Sequence, residues 1–219
     1  MTANNLIEPE ITFVNGEKKY GLVNEEGKWV AEPIFDELGD EFDEHGRLQA
    51  RIGNKWGCIN RRGKWVVKPE FESFADPIFD EKGMLSAKLN SKWGFINKKG
   101  KWLIPPVFDA VADFFDDDDL CAAKFNGEWG FINRKGEWII FPQYEALFCD
   151  WPHLLDNYGT VAVKYKGKWG WIDHEDNWII KPIFDDVQGY FEENGLCPAT
   201  FNGEKGTVNR EGKWRKENK

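Results

Sequence analysis

The sequence of 219 residues is poor in the side chains that bind transition metals or carry redox chemistry. It has three histidines and four cysteines, and no two cysteines are spaced as C-x-x-C. Structural zinc sites need such clusters, so the sequence predicts neither a metal site nor a cofactor. Cys121 and Cys197 stand where equivalent parts of the chain have leucine or valine, which indicates that they are small buried hydrophobic side chains. The cysteines are Cys58, Cys121, Cys149 and Cys197.

Long apolar runs and an excess of positive charge are also absent. No segment approaches the roughly 18 apolar residues that a membrane span requires. The first residues, MTANNLIEPEITFV, have neither a basic start nor an apolar run. The net charge of −9 argues against a nucleic-acid partner and against an anionic membrane surface, because both need a basic protein surface. We therefore expect a cytoplasmic protein that binds neither.

Motifs of the common enzyme classes are missing as well. The sequence contains no G-x-S-x-G, no P-loop, no G-x-G-x-x-G and no H-E-x-x-H. His45, His153 and His174 fall in predicted loops without a neighbouring nucleophile. Paired carboxylates between the strands leave glycosidase-type chemistry open. The sequence nevertheless favours a protein that is not an enzyme, and it offers no catalytic residue.

What the sequence does contain is a tryptophan-rich repeat. One set of tryptophans recurs at intervals of 36, 37, 36, 40 and 36 residues, which is typical of solenoids and propellers. A second set lies nine residues earlier, and each of its members is followed by glycine. The first set is Trp29, Trp65, Trp102, Trp138, Trp178 and Trp214. The second is Trp56-Gly57, Trp93-Gly94, Trp129-Gly130 and Trp169-Gly170.

Each copy of the repeat reads as three short strands, which we call C, A and B in chain order. Strand C alternates apolar and polar residues, as in Leu85–Leu89, and period two indicates a half-buried strand. A two-residue turn leads to strand A, where the recurring glycine suggests a close backbone or ring approach. An Asn-x-x-Gly turn then leads to strand B, which we expect to end at a proline such as Pro69.

The repeat predicts an all-β fold of six tandem three-stranded antiparallel meanders, each of about 37 residues and stacked as an open array. The alternative is a six-bladed, propeller-like ring. Polar, atypical end copies favour the open array, because a closed ring needs no caps. We expect a single domain over residues 1–219. Its repeat units span about 11–33, 47–69, 84–106, 120–142, 160–182 and 196–214.

The string KWGFINKKGKW and its copies, with the P-x-F-D segments that follow them, resemble the bacterial WG-repeat proteins, also called KWG-repeat proteins. The resemblance covers about residues 11–214. It implies a β-rich repeat protein from a bacterium. It brings no family-wide catalytic residues to this chain.

The segments between the repeats are strongly acidic. These five linkers hold 24 of the 38 acidic residues and one basic residue, Lys82. If they project on one side, the array has an acidic edge with its peak at Asp116, Asp117, Asp118 and Asp119. The charge fits either solubility or attraction of a basic partner. A calcium site is a third option, although the contiguous aspartates lack the spacing of an EF-hand loop.

The fourth linker differs from the others because it is longer and less acidic. It contains Trp151 and His153 in the stretch YEALFCDWPHLLDNYG. A tryptophan outside the repeat pattern is a candidate interface anchor, and it is equally a candidate for local core packing. Trp171 replaces a phenylalanine of strand A and is expected in the core.

Together these features predict a non-enzymatic bacterial module that binds a protein, and more specifically a basic protein. The candidate contact residues are Asp116 to Asp119, Trp151 and His153. The specific role considered is an immunity or inhibitor protein that neutralises a basic toxin or effector. The alternative is a carbohydrate or cell-wall binding module that uses exposed tryptophans. The oligomeric state stays open, since open arrays expose sheet edges.

Overall fold

In a computed structural model, residues 7–74, 79–112, 115–148 and 159–217 are described. All of them lie in β-strands or in the turns and loops between strands. Across these ranges the structure has no helix suited to crossing a membrane. The chain divides into two compact units, residues 1–107 and 108–219, and each is built from three sheets.

The first unit contains one three-stranded and two four-stranded antiparallel sheets. The first sheet is β1 (Ile7–Val14), β2 (Glu17–Asn24) and β3 (Trp29–Phe35). The second is β4 (Glu37–Leu38), β5 (Arg47–Ile52), β6 (Lys55–Asn60) and β7 (Trp65–Phe71). The third is β8 (Ser73–Phe74), β9 (Met84–Leu89), β10 (Lys92–Asn97) and β11 (Trp102–Phe108).

The second unit contains three four-stranded antiparallel sheets. The fourth sheet is β12 (Ala110–Val111), β13 (Leu120–Phe125), β14 (Glu128–Asn133) and β15 (Trp138–Tyr144). The fifth is β16 (Ala146–Phe148), β17 (Val161–Tyr165), β18 (Lys168–Ile172) and β19 (Trp178–Phe184). The sixth is β20 (Asp186–Val187), β21 (Leu196–Phe201), β22 (Glu204–Asn209) and β23 (Trp214–Lys216).

This architecture confirms the predicted all-β tandem repeat, with strands C, A and B as neighbours in every sheet. It also adds a strand that we did not predict. Sheets two to six each begin with a short strand from the preceding linker, which pairs with strand C. Two or three residues are too few to show an alternating pattern, which explains why the sequence does not reveal it.

The expectation that strand B ends at its proline is wrong. In the second sheet β7 runs through Pro69 to Phe71. Its register with β6 shifts, since Trp56 faces Phe71 while Cys58 faces Val67. Proline is tolerated there because β7 is an edge strand and the bulge needs no ladder donor at that point. Within the described residues, β1 begins at Ile7, a few residues before the expected start of the first repeat unit.

The bulge explains the glycine that recurs in strand A. A Cβ added to Gly57 would lie 2.5 Å from the carbonyl oxygen of Val67, and one at Gly130 would lie 2.4 Å from that of Ile140. Real Cβ atoms do not approach backbone oxygens so closely. Gly21, Gly94 and Gly170 have the same contact, and Gly206 lies close to the carbonyl of Arg215 instead, so the predicted close approach is confirmed.

Within the first unit, tryptophans of strand B fill the seams between neighbouring sheets. Trp65 packs edge-to-face on Phe35 of the preceding sheet, with ring centroids 5.6 Å apart, and Trp102 packs in the same way on Phe71. Edge-to-face pairs add about 0.5–1.5 kcal/mol to the burial of the rings.

Trp171 is in the core, as expected, with 1% of its surface exposed. Cys121 and Cys197 are fully buried, and burial raises the pKa of the Cys58 thiol to about 12.

Candidate functional site

The acidic linkers end in a turn that has one form in four of the five linkers. In the second sheet the backbone amide of Gly46 donates to the carbonyl of Asp43 at 2.8 Å. The Asp43 carboxylate accepts from the backbone amides of His45 and Arg47 at 2.9 and 2.8 Å. We call these segments the linker turns. They are Phe42–Gly46, Phe79–Gly83, Phe115–Asp119 and Phe191–Gly195, and Phe-Asp/Glu-x-x-Gly is a motif that our sequence analysis missed.

The aspartate run is one of these turns. Asp116 caps it, because its carboxylate accepts from the backbone amides of Asp118 and Leu120 at 3.0 and 2.9 Å. Burial of the Asp116 side chain raises the pKa of its carboxyl. Asp119 takes the place of the turn glycine with a φ of 61°, and its carboxylate pairs with Arg134. Asp117 and Asp118 are exposed.

A cationic side chain from the Asn-x-x-Gly turn lies against each linker turn. Arg61 stacks on the ring of Phe42 at 4.6 Å, and Arg134 stacks on Phe115 at 4.7 Å. Lys98 lies against Gly83 and places its Nζ 2.9 Å from Nε2 of His45. Cationic and acidic turns therefore lie side by side, and the surface that each such pair forms is mixed in charge rather than uniformly acidic.

A second set of linker carboxylates holds the neighbouring hairpins. Each follows the last aromatic residue of strand B and accepts the backbone amide of the next C–A turn, at 2.5 to 3.1 Å. The acceptors are Asp36, Glu72, Asp109, Glu145 and Asp185, and the donors are Gly53, Ser91, Gly127, Gly167 and Gly203.

Two of these carboxylates also bind the lysine that precedes the aromatic residue of strand A. Lys19 pairs with Asp36, and Lys168 pairs with Asp185. The lysine and the turn amide hold the pKa of each carboxyl below its usual range. The lysine of KWG and the aspartate of P-x-F-D are therefore partners within the scaffold.

Other linker carboxylates are exposed, both inside and outside the linker turns. Asp117 and Asp118 in the second unit, with Glu193, carry carboxylates that pair with no cation in the described part of the chain, and so does Glu81 in the first unit. They occupy the two central positions of the linker turns. Within the described ranges, no group of three or more histidine, cysteine or acidic side chains could hold a metal ion.

The remaining candidate residues fall in two groups. Trp151 and His153 lie outside the described residues. The tryptophans of strand A lie within the described residues, and a cation lies over the ring of three of them: Arg51 over Trp56, Lys88 over Trp93 and Lys124 over Trp129, each at 5.7 Å. A sugar would need those faces for stacking, so this arrangement does not favour the carbohydrate alternative.

One polar contact occurs where the repeat departs from its pattern. The hydroxyl of Tyr144 donates to a carboxylate oxygen of Asp176, and Nε2 of Gln143 donates to the other oxygen at 2.9 Å. Other copies have phenylalanine in place of the tyrosine and glycine in place of the aspartate. Burial and the hydrogen bond to Asp176 raise the pKa of the Tyr144 phenol. The contact stands where the other copies have a turn glycine, and its role in packing needs no functional explanation.

A family model described as a WG-containing repeat matches residues 20–56, 56–93, 93–129, 129–149 and 169–204. Each match starts at the aromatic residue of strand A, and the first three run to the next copy of it. A comparison with curated proteins finds no match.

Solved structures resemble the fold at low identity. They include the extracellular domain of BT4673 from B. thetaiotaomicron, with a TM-score of 0.42 and 11% identity over 99% of this chain and 37% of that one. PorZ of Porphyromonas gingivalis, a surface component of a secretion system, has a TM-score of 0.40 and 10% identity over 96% and 31%. Hsv2 of Kluyveromyces lactis has a TM-score of 0.45 and 9% identity over 80% and 61%.

This chain thus spans between about a third and two thirds of the length of these neighbours. Such likeness concerns the β-fold and transfers no activity or partner. The cytoplasmic location expected from the sequence is contradicted here, because two of the neighbours are an extracellular domain and a bacterial surface component. The expectation rested on composition and on the first residues, and neither property fixes a compartment.

Proposed function

Because the chain belongs to the family of proteins built from WG-containing repeats, we propose that it is a non-catalytic module that binds a basic protein. The observation that carries the proposal is the pair Asp117 and Asp118. Both side chains are exposed at the centre of a linker turn, and neither has a cation partner among the described residues. Unpaired surface carboxylates create a negative potential that attracts a basic surface and speeds its association.

The recurrence of the charge supports binding over solubility alone. The third residue is acidic in each of the four linker turns, as Glu44, Glu81, Asp117 and Glu193. The turn does not require this, because its hydrogen bonds use the side chain of the second or fourth residue. A carboxylate repeated at a position without a structural task is suited to contact a partner that carries several lysines or arginines.

The finer form of the proposal is an inhibitor. A basic toxin or effector, such as an enzyme with a cationic active site, would be covered by these turns and lose access to its substrate. The non-catalytic role agrees with the sequence, which contains none of the common catalytic motifs.

Zero-length crosslinking with a carbodiimide tests the proposal, because it joins a carboxylate to a lysine amine only where the two are in contact. We expect crosslinks from source-cell extracts to concentrate on the linker turns, with one recurrent partner. With that partner purified, Asp117→Asn combined with Asp118→Asn should weaken binding about tenfold, or ~1.4 kcal/mol, and reduce its salt dependence. If the partner is an enzyme, an equimolar amount of this chain should abolish its activity.

A matched control neutralises two exposed glutamates elsewhere in the chain. Glu25→Gln with Glu26→Gln changes the net charge by the same amount, in the turn between β2 and β3. Binding should be almost unchanged in this variant. Crosslinks spread evenly over all acidic residues, or equal losses in both double variants, would rule out the linker turns as the contact surface.

A further inference from the structure

The first sheet differs from the other five at the outer edge of strand C. In sheets two to six that edge is covered by the short strand from the linker. In the second sheet, for example, the carbonyls of Gln49 and Arg51 accept the backbone amides of Gly39 and Asp36 at 2.9 Å. In the first sheet β1 is an edge strand, and no described residue pairs with this side of it. We propose that β1 accepts an extended peptide segment of a basic protein as a fourth strand.

The position of each β1 residue follows from its register with β2. Ile11 faces Tyr20 as Arg51 faces Trp56, and Glu10 faces Gly21 as Ala50 faces Gly57. Pro9 is therefore the counterpart of Gln49. The carbonyls of Pro9 and Ile11 stand where the second sheet binds its own short strand.

Proline at this position does not prevent strand addition. Pro198 of β21 is the counterpart of Pro9, since it also lies one residue before the partner of the strand A glycine. Its strand is nevertheless paired with β20, and its carbonyl accepts the backbone amide of Gln188 at 3.0 Å. This position contributes an acceptor rather than a donor, so the missing N–H has no effect on the pairing.

The chemistry of the incoming strand follows from what β1 presents in place of the usual residues. In the other sheets an alanine or valine of strand C faces an apolar residue of the short strand. These pairs are Ala50–Leu38, Ala87–Phe74, Ala123–Val111, Val163–Leu147 and Ala199–Val187. In β1 the corresponding residue is Glu10, which is exposed. Opposite charges stabilise cross-strand pairs, so a lysine or arginine fits opposite Glu10.

The other face of β1 has the reverse character. In the second sheet Arg51 pairs with Glu37 of the short strand at 2.8 Å. The counterpart of Arg51 is Ile11, an apolar side chain with 48% of its surface exposed. It borders a cleft of about 570 Å³ that Ile7 and Leu38 also line, and the charged residues of its lining are Glu8, Asp40, Glu41 and Arg61. An incoming strand would therefore place apolar side chains in this cleft and basic ones on the Glu10 side.

The inferred ligand is thus an extended segment in which apolar and basic residues alternate. Main-chain hydrogen bonds to an exposed sheet edge supply affinity in such complexes, and alternate side chains supply specificity. The inference rests on the proposed function, which it deepens by naming a peptide site in the first unit for the basic partner.

A fluorescent octapeptide of alternating valine and lysine is the probe, measured by fluorescence anisotropy at fixed ionic strength. We expect saturable binding, and no binding of the matched valine–glutamate peptide. Two further versions of the probe have N-methyl groups on alternate amides, one on the valines and one on the lysines. Only one edge of an added strand faces β1, so one version should bind and the other should not. Equal binding of both would rule out strand addition.

The charge pairing is tested by Glu8→Lys combined with Glu10→Lys, which replaces two exposed carboxylates of β1. The probe should bind about tenfold more weakly, or ~1.4 kcal/mol. The control is Glu25→Lys with Glu26→Lys, which makes the same charge change in the same sheet. That turn has Arg61 and Arg62 in the second sheet, so the fold accepts basic residues there. Equal losses in both variants would reduce the effect to net charge and overturn the proposal.

Three other outcomes are distinguishable. If deletion of residues 1–6 is needed for probe binding, that segment is the occupant and the proposal is wrong. If sedimentation shows a dimer that Ile11→Lys dissociates, the occupant is a second copy, and the proposal is again wrong. Asp117→Asn with Asp118→Asn should leave probe binding unchanged. Loss of partner binding in that variant alone tests the linker turns, so each idea can fail without the other.

Discussion

The second sheet contains two turns that share one hydrogen-bonding form and differ in their surroundings. In the turn between β6 and β7, the amide of Gly63 donates to the carbonyl of Asn60 at 2.8 Å, and the Asn60 side chain accepts two further backbone amides. In the linker turn, Gly46 and Asp43 make the same three bonds. Local sequence therefore specifies both turns in the same way.

The difference lies in what touches the glycine. A Cβ on Gly63 would lie 2.2 Å from Cβ of Ala31 in the preceding sheet, whereas one on Gly46 would meet only the side chain of Arg61, at 3.2 Å. The turn at Gly63 packs tightly against the preceding sheet, whereas the linker turn at Gly46 is covered by the flexible side chain of Arg61. Only the linker turn can change its residues without moving a neighbouring sheet, so it is the turn available to evolve a binding surface.

The largest expected effect separates the two glycines directly. Gly63→Ala should lower the free energy of unfolding by about 3 kcal/mol, because the methyl group overlaps Ala31 and the φ of 69° strains alanine. Gly46→Ala should cost about 1 kcal/mol, since Arg61 can move. Urea unfolding followed by tryptophan fluorescence measures both.

Gly53→Ala is the control for backbone strain, because its φ is 62° and nothing lies within 4 Å of the added Cβ. It should also cost about 1 kcal/mol. If Gly63→Ala were no worse than this control, the seam would be looser than the structure indicates and the contrast between the turns would fail.

The fifth sheet has a polar pair at the position where the second sheet packs Gly63 tightly against the preceding sheet. Its turn has Asp176 at the glycine position, bonded to Tyr144 of the preceding sheet. Tyr144→Phe should cost about 2 kcal/mol, because it removes the donor to one carboxylate oxygen of the half-buried Asp176 and leaves only Gln143 on the other. Adding Asp176→Gly to Tyr144→Phe gives this seam the phenylalanine and the glycine that the other copies have.

The double variant should therefore lose less than the sum of the two single changes, with a coupling of about 1 kcal/mol. Chemical denaturation of the four proteins completes the cycle. Additive losses would mean that the tyrosine and the aspartate departed from the repeat independently.

Alkaline pH should weaken the same seam. The pKa of the Tyr144 phenol is raised in the folded chain, by burial and then by Asp176. The folded state keeps this proton where the unfolded chain loses it, so the stability it contributes is complete below the ordinary tyrosine pKa of about 10 and declines above it. Thermal melts from pH 8 to 11 should show a steeper decline for the native chain than for Tyr144→Phe. Parallel declines would contradict the assignment.

Whether a feature of the fold or of the site could be predicted from the sequence depends on how far apart in the chain its interacting residues lie. The strands, the two kinds of tryptophan and the glycine of strand A followed from period and spacing, because local patterns report them. The short strands did not, since pairs such as Ser73–Phe74 carry no period. The division of the carboxylates was equally hidden. Asp36 and Asp117 look alike in a chain of acidic linkers, and only the fold brings Lys19 and Gly53 to the first of them.

The cleft beside β1 shows the same limit. In sequence, Glu10 and Ile11 are part of a degenerate first repeat, and we expected the strand to begin only there. Register with β2 is needed to see that they replace an alanine and an ion-paired arginine. Departures from a repeat become informative once the position that they occupy is known.

The smallest expected effect asks whether the charge of a linker turn belongs to the turn itself. Asp116→Asn should change the free energy of unfolding by no more than about 0.5 kcal/mol at neutral pH, in the stabilising direction. An amide caps this turn form equally well, as Asn133 does in the next turn of the same sheet. It also removes a charge whose burial raises the pKa of the Asp116 carboxyl.

Because this pKa is raised in the folded chain, the ionised carboxylate lowers stability at neutral pH, and it has no such effect once it is protonated in both the folded and the unfolded chain. The gain in stability from asparagine should therefore vanish as the pH falls below about 4. Urea unfolding at pH 7 and at pH 3.5 measures the difference, with Asn133→Asp as the reverse substitution. A clear loss of stability in Asp116→Asn would show that the turn needs its carboxylate, and the charge of Asp116 would then be explained by the fold without a partner.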